Sequence, residues 1–332
     1  MDPRDLNGPA GNGTSRAYSR AVSLRQLPAR GVPLGGTRAM LVRRTLPHRE
    51  LPTIGAWCFV DDYGPAPAQM DLPPHPHIGL QTVTWLLSGE VRHRDSLGSD
   101  QLIRPGTLNL MTAGHGMAHA ETSTPGSDVL RGVQPWVALP YDARDTARAF
   151  EHQPGLPEWD PGGAAAAVRA TVLLGRLDQV ESPARAYTPI VGAELVVDGP
   201  GTLPLTPAWE HGVLALGPGL VVDGEPLEAS ALAYLAPGRD AVTVAGQGRA
   251  LLLGGEPFGP QLLMWWNFVG RTHEEVEQAR SDWEAQAGLP ETETAAARYG
   301  LVPGHGPDAG PEAGRIPAPP LPGVRLTPRK RL

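Results

Sequence analysis

The chain has 332 residues, enough for about two ordinary domains, and a formal net charge of −7 that argues against broad electrostatic binding to nucleic acid. Gly (41) and Pro (37) are abundant and aromatics make up 5% of residues, which favours many short strands joined by turns over a helical protein. No run approaches the roughly 20 apolar residues that cross a membrane, Met1 to Arg30 has no apolar core like a secretory signal, and the single cysteine, Cys58, excludes an intrachain disulfide and fits a reducing, cytoplasmic setting.

In chain order, residues 1–34 read as a disordered arm, with Gly8-Pro9-Ala10-Gly11 at its centre. A first β-rich block spans 35–141. Cys58 sits there between apolar neighbours and reads as a buried, inert thiol, and Asp61-Asp62 as a turn. Gly79 to Leu87 reads as a strand, Ser88-Gly89 as a turn and Glu90 to Arg94 as the returning strand; Leu97 to Asp100 is another turn. Residues 142–166 are polar, interrupted by Pro and Gly, and read as a connection. The second block spans 167–287, with strands expected at Ala170–Leu174, Glu194–Val197, Gly212–Leu216, Leu232–Leu235, Ala241–Val244 and Ala250–Leu253. Thr272-His273-Glu274-Glu275 has capping-box spacing and opens a helix with Val276, Ala279 and Trp283 on one face. Trp265-Trp266 reads as packing rather than a stacking platform. Residues 288–332, rich in Pro and Gly and ending in Arg329-Lys330-Arg331, read as a disordered, solvated tail.

Two short motifs carry chemistry: His75-Pro76-His77 and His119-Ala120-Glu121. In an extended segment residues i and i+2 point to one face, so each motif offers two side chains to the same side of a sheet. Neighbouring Cα atoms i and i+2 lie roughly 6–7 Å apart, and two such imidazoles can pivot onto one ion at about 2.0–2.2 Å. A lone histidine is most simply a satisfied core residue; HxH followed by HxE within one β unit is better read as a metal site. Three imidazoles and one carboxylate suit a divalent transition metal and leave coordination positions open for a substrate oxygen and O₂ or water. A structural zinc site would be closed and usually cysteine-rich, which one cysteine does not provide. His93 and Asp95 share a strand face; ordinary sheet structure is the expectation, with a place beside the site the alternative. His115, between two glycines, could gate the entrance.

His75-Pro76-His77-Ile78-Gly79, Thr82 to Gly89, His93 to Gly98 and Met111 to Glu121 resemble the pirin family of the cupin superfamily. So do Phe59 to Pro65 upstream, and Gly255-Glu256-Pro257 with Met264 to Asn267 downstream. The resemblance covers roughly 36–285. It implies an all-β protein of two cupin (jelly-roll-like) barrels facing each other, with a metal in the first barrel alone. It implies His75, His77, His119 and Glu121 as ligands and iron, as Fe(II), as the usual ion. Several members have quercetin 2,3-dioxygenase activity, so a flavonol-like phenolic substrate and O₂ are the implied partners, with Glu121 accepting the substrate's proton. Other members are regulators that bind a transcription factor or a metabolic enzyme. One departure is visible: many pirin-like sequences have Glu where this chain has Gln81, which would remove an acid from beside the site. Ahead of its helix the second block has only His211 and no HxH, so its barrel is expected to be structural.

Overall fold

The computed structural model describes residues 24–34, 40–67, 70–124, 129–163, 166–259, 262–304 and 314–328. The fold is all-β with two cupin domains, and among the described residues every paired strand is antiparallel apart from one isolated bridge. The first domain is a sandwich of two sheets. A seven-stranded sheet runs in the order Ala149–Pro154, Thr107–Thr112, Leu80–Ser88, Val129–Ala138, Trp57–Pro67, Leu41–Leu46, Arg30–Pro33. A four-stranded sheet runs Asp71–His77, Met117–Ser123, Val91–Asp95, Asp100–Ile103.

The central strands of the large sheet are buried on both faces, and strand alternation sorts the two sides. On Leu80–Ser88, Leu86 packs with Val91 and Ile103 inside the first domain. Val83 and Trp85 point the other way, into a core shared with Leu173, Leu214, Leu251 and Leu253 of the second domain. Trp57 locks this interface. Its indole N–H donates to the carbonyls of Val191 (3.0 Å) and Gly254 (3.2 Å). A Cβ on Gly192 would lie 2.6 Å from its ring, so only glycine admits the indole.

The second domain keeps the expected strands with one change. Ala241–Val244 and Ala250–Leu253 are two ends of one strand, Ala241–Gly255, which bends through Gly246 (φ +98°) and Gly248 (φ +153°). The helix His273–Ala285 forms as its capping signal predicts, with Thr272 Oγ1 accepting from the Glu275 N–H at 3.1 Å.

Three segments depart from the sequence reading. Within the expected N-terminal arm, Arg25–Leu27 pairs with Leu232–Tyr234 of the second domain and Arg30–Pro33 pairs with Leu41–Arg44. Residues 1–23 lie outside the described residues. The expected connection 142–166 adds Ala149–Pro154 to the first domain's large sheet. In the expected disordered tail, Glu291–Ala296 is helical, Tyr299 is fully buried, and 314–328 runs as a strap whose Ala318 enters the core under the helix His273–Ala285. The strap is held by the Ile316 N–H on the Pro74 carbonyl (2.8 Å) and by the Trp283 indole N–H on the Ile316 carbonyl (2.9 Å). Residues 305–313 and Arg329-Lys330-Arg331 lie outside the described residues.

Candidate metal centre

The strand pairing brings the two motifs face to face. His119 lies opposite His75 and Met117 opposite His77, so all three imidazoles project into the space between the sheets. His75 is 7% exposed, and His77, His119 and Glu121 are each 1% exposed. One ring nitrogen from each of His75, His77 and His119 can be chosen so that all three lie within 4.8 Å of one another. Glu121 does not join that trio at this spacing. It forms a second group with His93 and His119, so His119 is common to both.

Hydrogen bonds assign the tautomers of two of these rings. The Nδ1 of His75 lies 2.9 Å from the Pro73 carbonyl, and that of His77 lies 3.2 Å from the Asn267 carbonyl. A carbonyl only accepts, so each Nδ1 carries the hydrogen and each Nε2 presents a lone pair. Burial, reinforced by the neighbouring imidazoles, holds His77 and His119 well below the ordinary histidine pKa. His75 is also lowered, chiefly by burial. The Nε2 atoms of His77 and His119 face each other at 3.1 Å. Two cis nitrogens each about 2.1 Å from one ion would be about 3.0 Å apart. Buried imidazoles converging at that separation, with the Nδ1 hydrogens of His75 and His77 spent on carbonyls, fit a cation between them.

Glu121 is oriented by groups that the motifs do not reveal. Gln134 Nε2 donates to both carboxylate oxygens at 3.0 Å, and Thr84 Oγ1 lies 3.4 Å from Oε1. The only sequence signal was a buried amide breaking the apolar run Val133 to Val137. The carbonyl that fixes His77 comes from the turn between Leu263–Trp265 and Phe268–Gly270, so the C-terminal region helps build the first domain's site. Trp266 in that turn has φ +51°, a strained value for a bulky residue.

A cavity of about 370 Å³ opens over His75 and His77. Phe59 and Trp136 stack at 3.9 Å, and Trp136 meets the His77 ring edge-on at 5.1 Å. Trp265 and Trp266 pack against the core beside Phe268, as expected, and Trp266 also lines this cavity. Leu34 from the N-terminal arm and Ile316 from the strap close the sides. Arg44 lies 4.2 Å over Phe59 and makes two 2.7 Å bonds to Asp61. A separate cavity of about 260 Å³ behind the helix His273–Ala285 has no imidazole or carboxylate in its lining.

Other expectations are settled by position. Asp61 and Asp62 are buried strand residues paired with Arg44 and Arg43, not a turn. Gln81 faces the second domain, donating to Thr112 Oγ1 and the Arg185 carbonyl, so a carboxylate there would not sit beside the imidazoles. Cys58 is buried and its thiol is pushed up to about 12 by burial, as an inert thiol should be. His115 is exposed, 3.6 Å from Asp145. His93 and Asp95, expected to be ordinary sheet residues, stand against His119: His93 Nδ1 is 3.4 Å from His119 Nδ1, and His93 Nε2 is 3.1 Å from Asp95 Oδ2. Burial works to raise the Asp95 carboxyl, but hydrogen bonds from His93, Ser99 and Leu97 outweigh it and hold the group below its ordinary value.

Among known proteins, the chain is 45% identical over 307 residues to the "Putative quercetin 2,3-dioxygenase PA1205" of Pseudomonas aeruginosa, covering 90% of this chain and 91% of that one. It is 35% identical over 258 residues to a "Pirin-like protein" of Caulobacter vibrioides, covering 74% and 88%. The crystal structure of a quercetin 2,3-dioxygenase from Acinetobacter baumannii superposes with a TM-score of 0.82 at 37% identity, over 92% of this chain and 98% of that one. Residues 39–137 match the Pirin family model and residues 191–287 the Pirin C-terminal cupin domain, so the chain belongs to the pirin family.

Proposed function

We propose that this protein is a metal-dependent dioxygenase that binds one divalent ion, Fe(II), in its first cupin domain and oxidises a flavonol-like phenol with O₂. The observation that carries the reading is the convergence of three neutral imidazoles, two of which, His75 and His77, line an aromatic-walled cavity. The quercetin 2,3-dioxygenase names of relatives on both sides of the comparison support the reaction class. His75, His77 and His119 would hold the ion, with Glu121 as the fourth ligand. When bound, the ion supplies Lewis acidity and one-electron chemistry.

The protein's own part follows from the walls. Trp136 and Trp266 line the cavity as walls for a planar aromatic ring, and Phe59, stacked on Trp136, backs them. Arg44, tied to Asp61, stiffens the wall from behind Phe59. Leu72, Leu34 and Ile316 narrow the cavity and exclude water from the reacting hydroxyl. Glu121 Oε1 or Oε2 accepts the proton of that hydroxyl, and Gln134 holds the carboxylate in place to do so. Cys58 as a lone, buried thiol accords with a cytoplasmic location.

The test is oxygen uptake. Iron-loaded protein should consume O₂ with quercetin or a related phenol, and His75→Ala and Glu121→Ala should abolish it. Tight metal binding without uptake on any phenol tried would sink the enzyme reading and favour a non-catalytic regulator that binds a transcription factor or a metabolic enzyme.

A further inference from the structure

Antiparallel register places Asp95 opposite His119 and His93 opposite Glu121, with all four side chains on one face. His93 is 2% exposed and Asp95 fully buried. The His93 ring lies flat on Phe150, centroids 4.4 Å apart and planes 13° from parallel. Asp95 splits its two oxygens. Oδ1 accepts from the backbone N–H groups of Leu97 (2.8 Å) and Ser99 (3.1 Å), and Oδ2 faces His93 Nε2 at 3.1 Å.

These contacts fix hydrogens in sequence. An ionised carboxylate only accepts, so His93 Nε2 carries a hydrogen. In the neutral ring Nδ1 is then a lone pair. That lone pair, 3.4 Å away, takes the hydrogen of His119 Nδ1. His119 Nε2 is left bare on the side where it meets His77 Nε2 at 3.1 Å.

We propose that Asp95 and His93 are positioning residues that act through His119, a carboxylate–imidazole relay that selects the tautomer in which His119 Nε2 can ligate a metal. The inference rests on the metal centre proposed above. Outer groups of this kind set ring orientation and ligand basicity at metal sites. The bland alternative is that Asp95 only caps the turn at Leu97-Gly98-Ser99.

One isosteric change separates the two. In Asp95→Asn the two backbone N–H groups still demand an oxygen at the Oδ1 position, so the amide nitrogen is turned toward His93. A donor there requires a lone pair on His93 Nε2 and sends its hydrogen to Nδ1. His119 Nδ1 must then accept, which puts a hydrogen on His119 Nε2 and blocks it. The turn cap survives while the relay inverts. Conversely, His93→Gln can offer its amide oxygen to His119 Nδ1.

The experiment is long-range ¹H–¹⁵N NMR of histidine-labelled, metal-free full-length protein at neutral pH, beside chelator competition for Fe(II) and Co(II). The expected wild-type spectrum has His119 protonated at Nδ1, and Asp95→Asn moves that hydrogen to Nε2. Fe(II) and Co(II) affinity should fall about 10–100-fold in Asp95→Asn, with a smaller loss in His93→Gln. A wild-type His119 protonated at Nε2 overturns the relay, as does an Asp95→Asn protein with unchanged tautomer or affinity. Should Asp95→Asn not fold, the wild-type spectrum and the His93→Gln affinity decide. Wild-type protein that binds neither ion would defeat the metal reading, yet the tautomer measurement would still judge the relay.

Discussion

The two cupin domains are both built of antiparallel strands and differ in what fills them. Between its sheets the first domain gathers His75, His77, His93, His119 and Glu121. The corresponding space in the second is packed with Val172, Leu195, Val213 and Leu252. His211, on one of that domain's strands, stands beside Trp209 at a cavity of about 270 Å³. Antiparallel strands put i and i+2 residues on one face in both domains; chemistry appears only where two such pairs carry ligating side chains and the register sets them opposite each other. The second domain uses the same positions for packing and contributes a platform, plus the Asn267 carbonyl on His77.

The widest contrast is in metal content. His119→Ala should reduce bound metal from one ion per chain to background, whereas His211→Ala should leave it unchanged; elemental analysis of the purified proteins measures both. Metal retained by His119→Ala and lost by His211→Ala would reverse the assignment of the two domains. The interface comes next. Trp57→Ala empties the indole's seat against Gly192 and should cost about 3–5 kcal/mol, read by urea denaturation, with the two domains no longer unfolding together.

Between about pH 6.5 and 4, acid should act on the second domain through His211. Burial lowers His211 to about 4, below its ordinary 6.5. The unfolded chain therefore binds the proton first as pH falls. The stabilisation is complete above about 6.5 and is lost progressively down to about 4, amounting to on the order of 3 kcal/mol. Urea midpoints across that window should fall less steeply in His211→Gln than in the wild type. The smallest effect is expected at Gln81. Gln81→Glu buries a carboxylate facing the second domain and should cost about 1–3 kcal/mol while leaving metal affinity unchanged. A clear gain or loss in metal affinity would mean that this side chain reaches the site after all.

Many strands of both domains, the capped helix and the two histidine motifs were legible because each is written in local periodicity. What was missed is nonlocal. Asp61 and Asp62 look like a turn until Arg44 and Arg43 are seen opposite them on the next strand. His93 and Asp95 show the same i, i+2 spacing as the motifs, but only register with His119 and Glu121 brings them to the site. The terminal segments have the composition of disordered chain, yet residues 25–33 and 314–328 are fixed by main-chain bonds to partners composition does not name. Gln134 and Asn267 reach the centre from strands and turns with no motif of their own.

The strand Arg25–Leu27 has a consequence for biosynthesis. It completes the sheet edge at Leu232–Tyr234, some two hundred residues further along the chain. A ribosome releases the first domain's sequence long before that edge exists, so the segment must wait unpaired and close a very long loop late. A fragment holding only the second domain would emerge with an open apolar edge at Leu232–Leu235 and would be prone to pair with copies of itself. The two domains are separable in sequence and joined in assembly: each finishes only when the other is present.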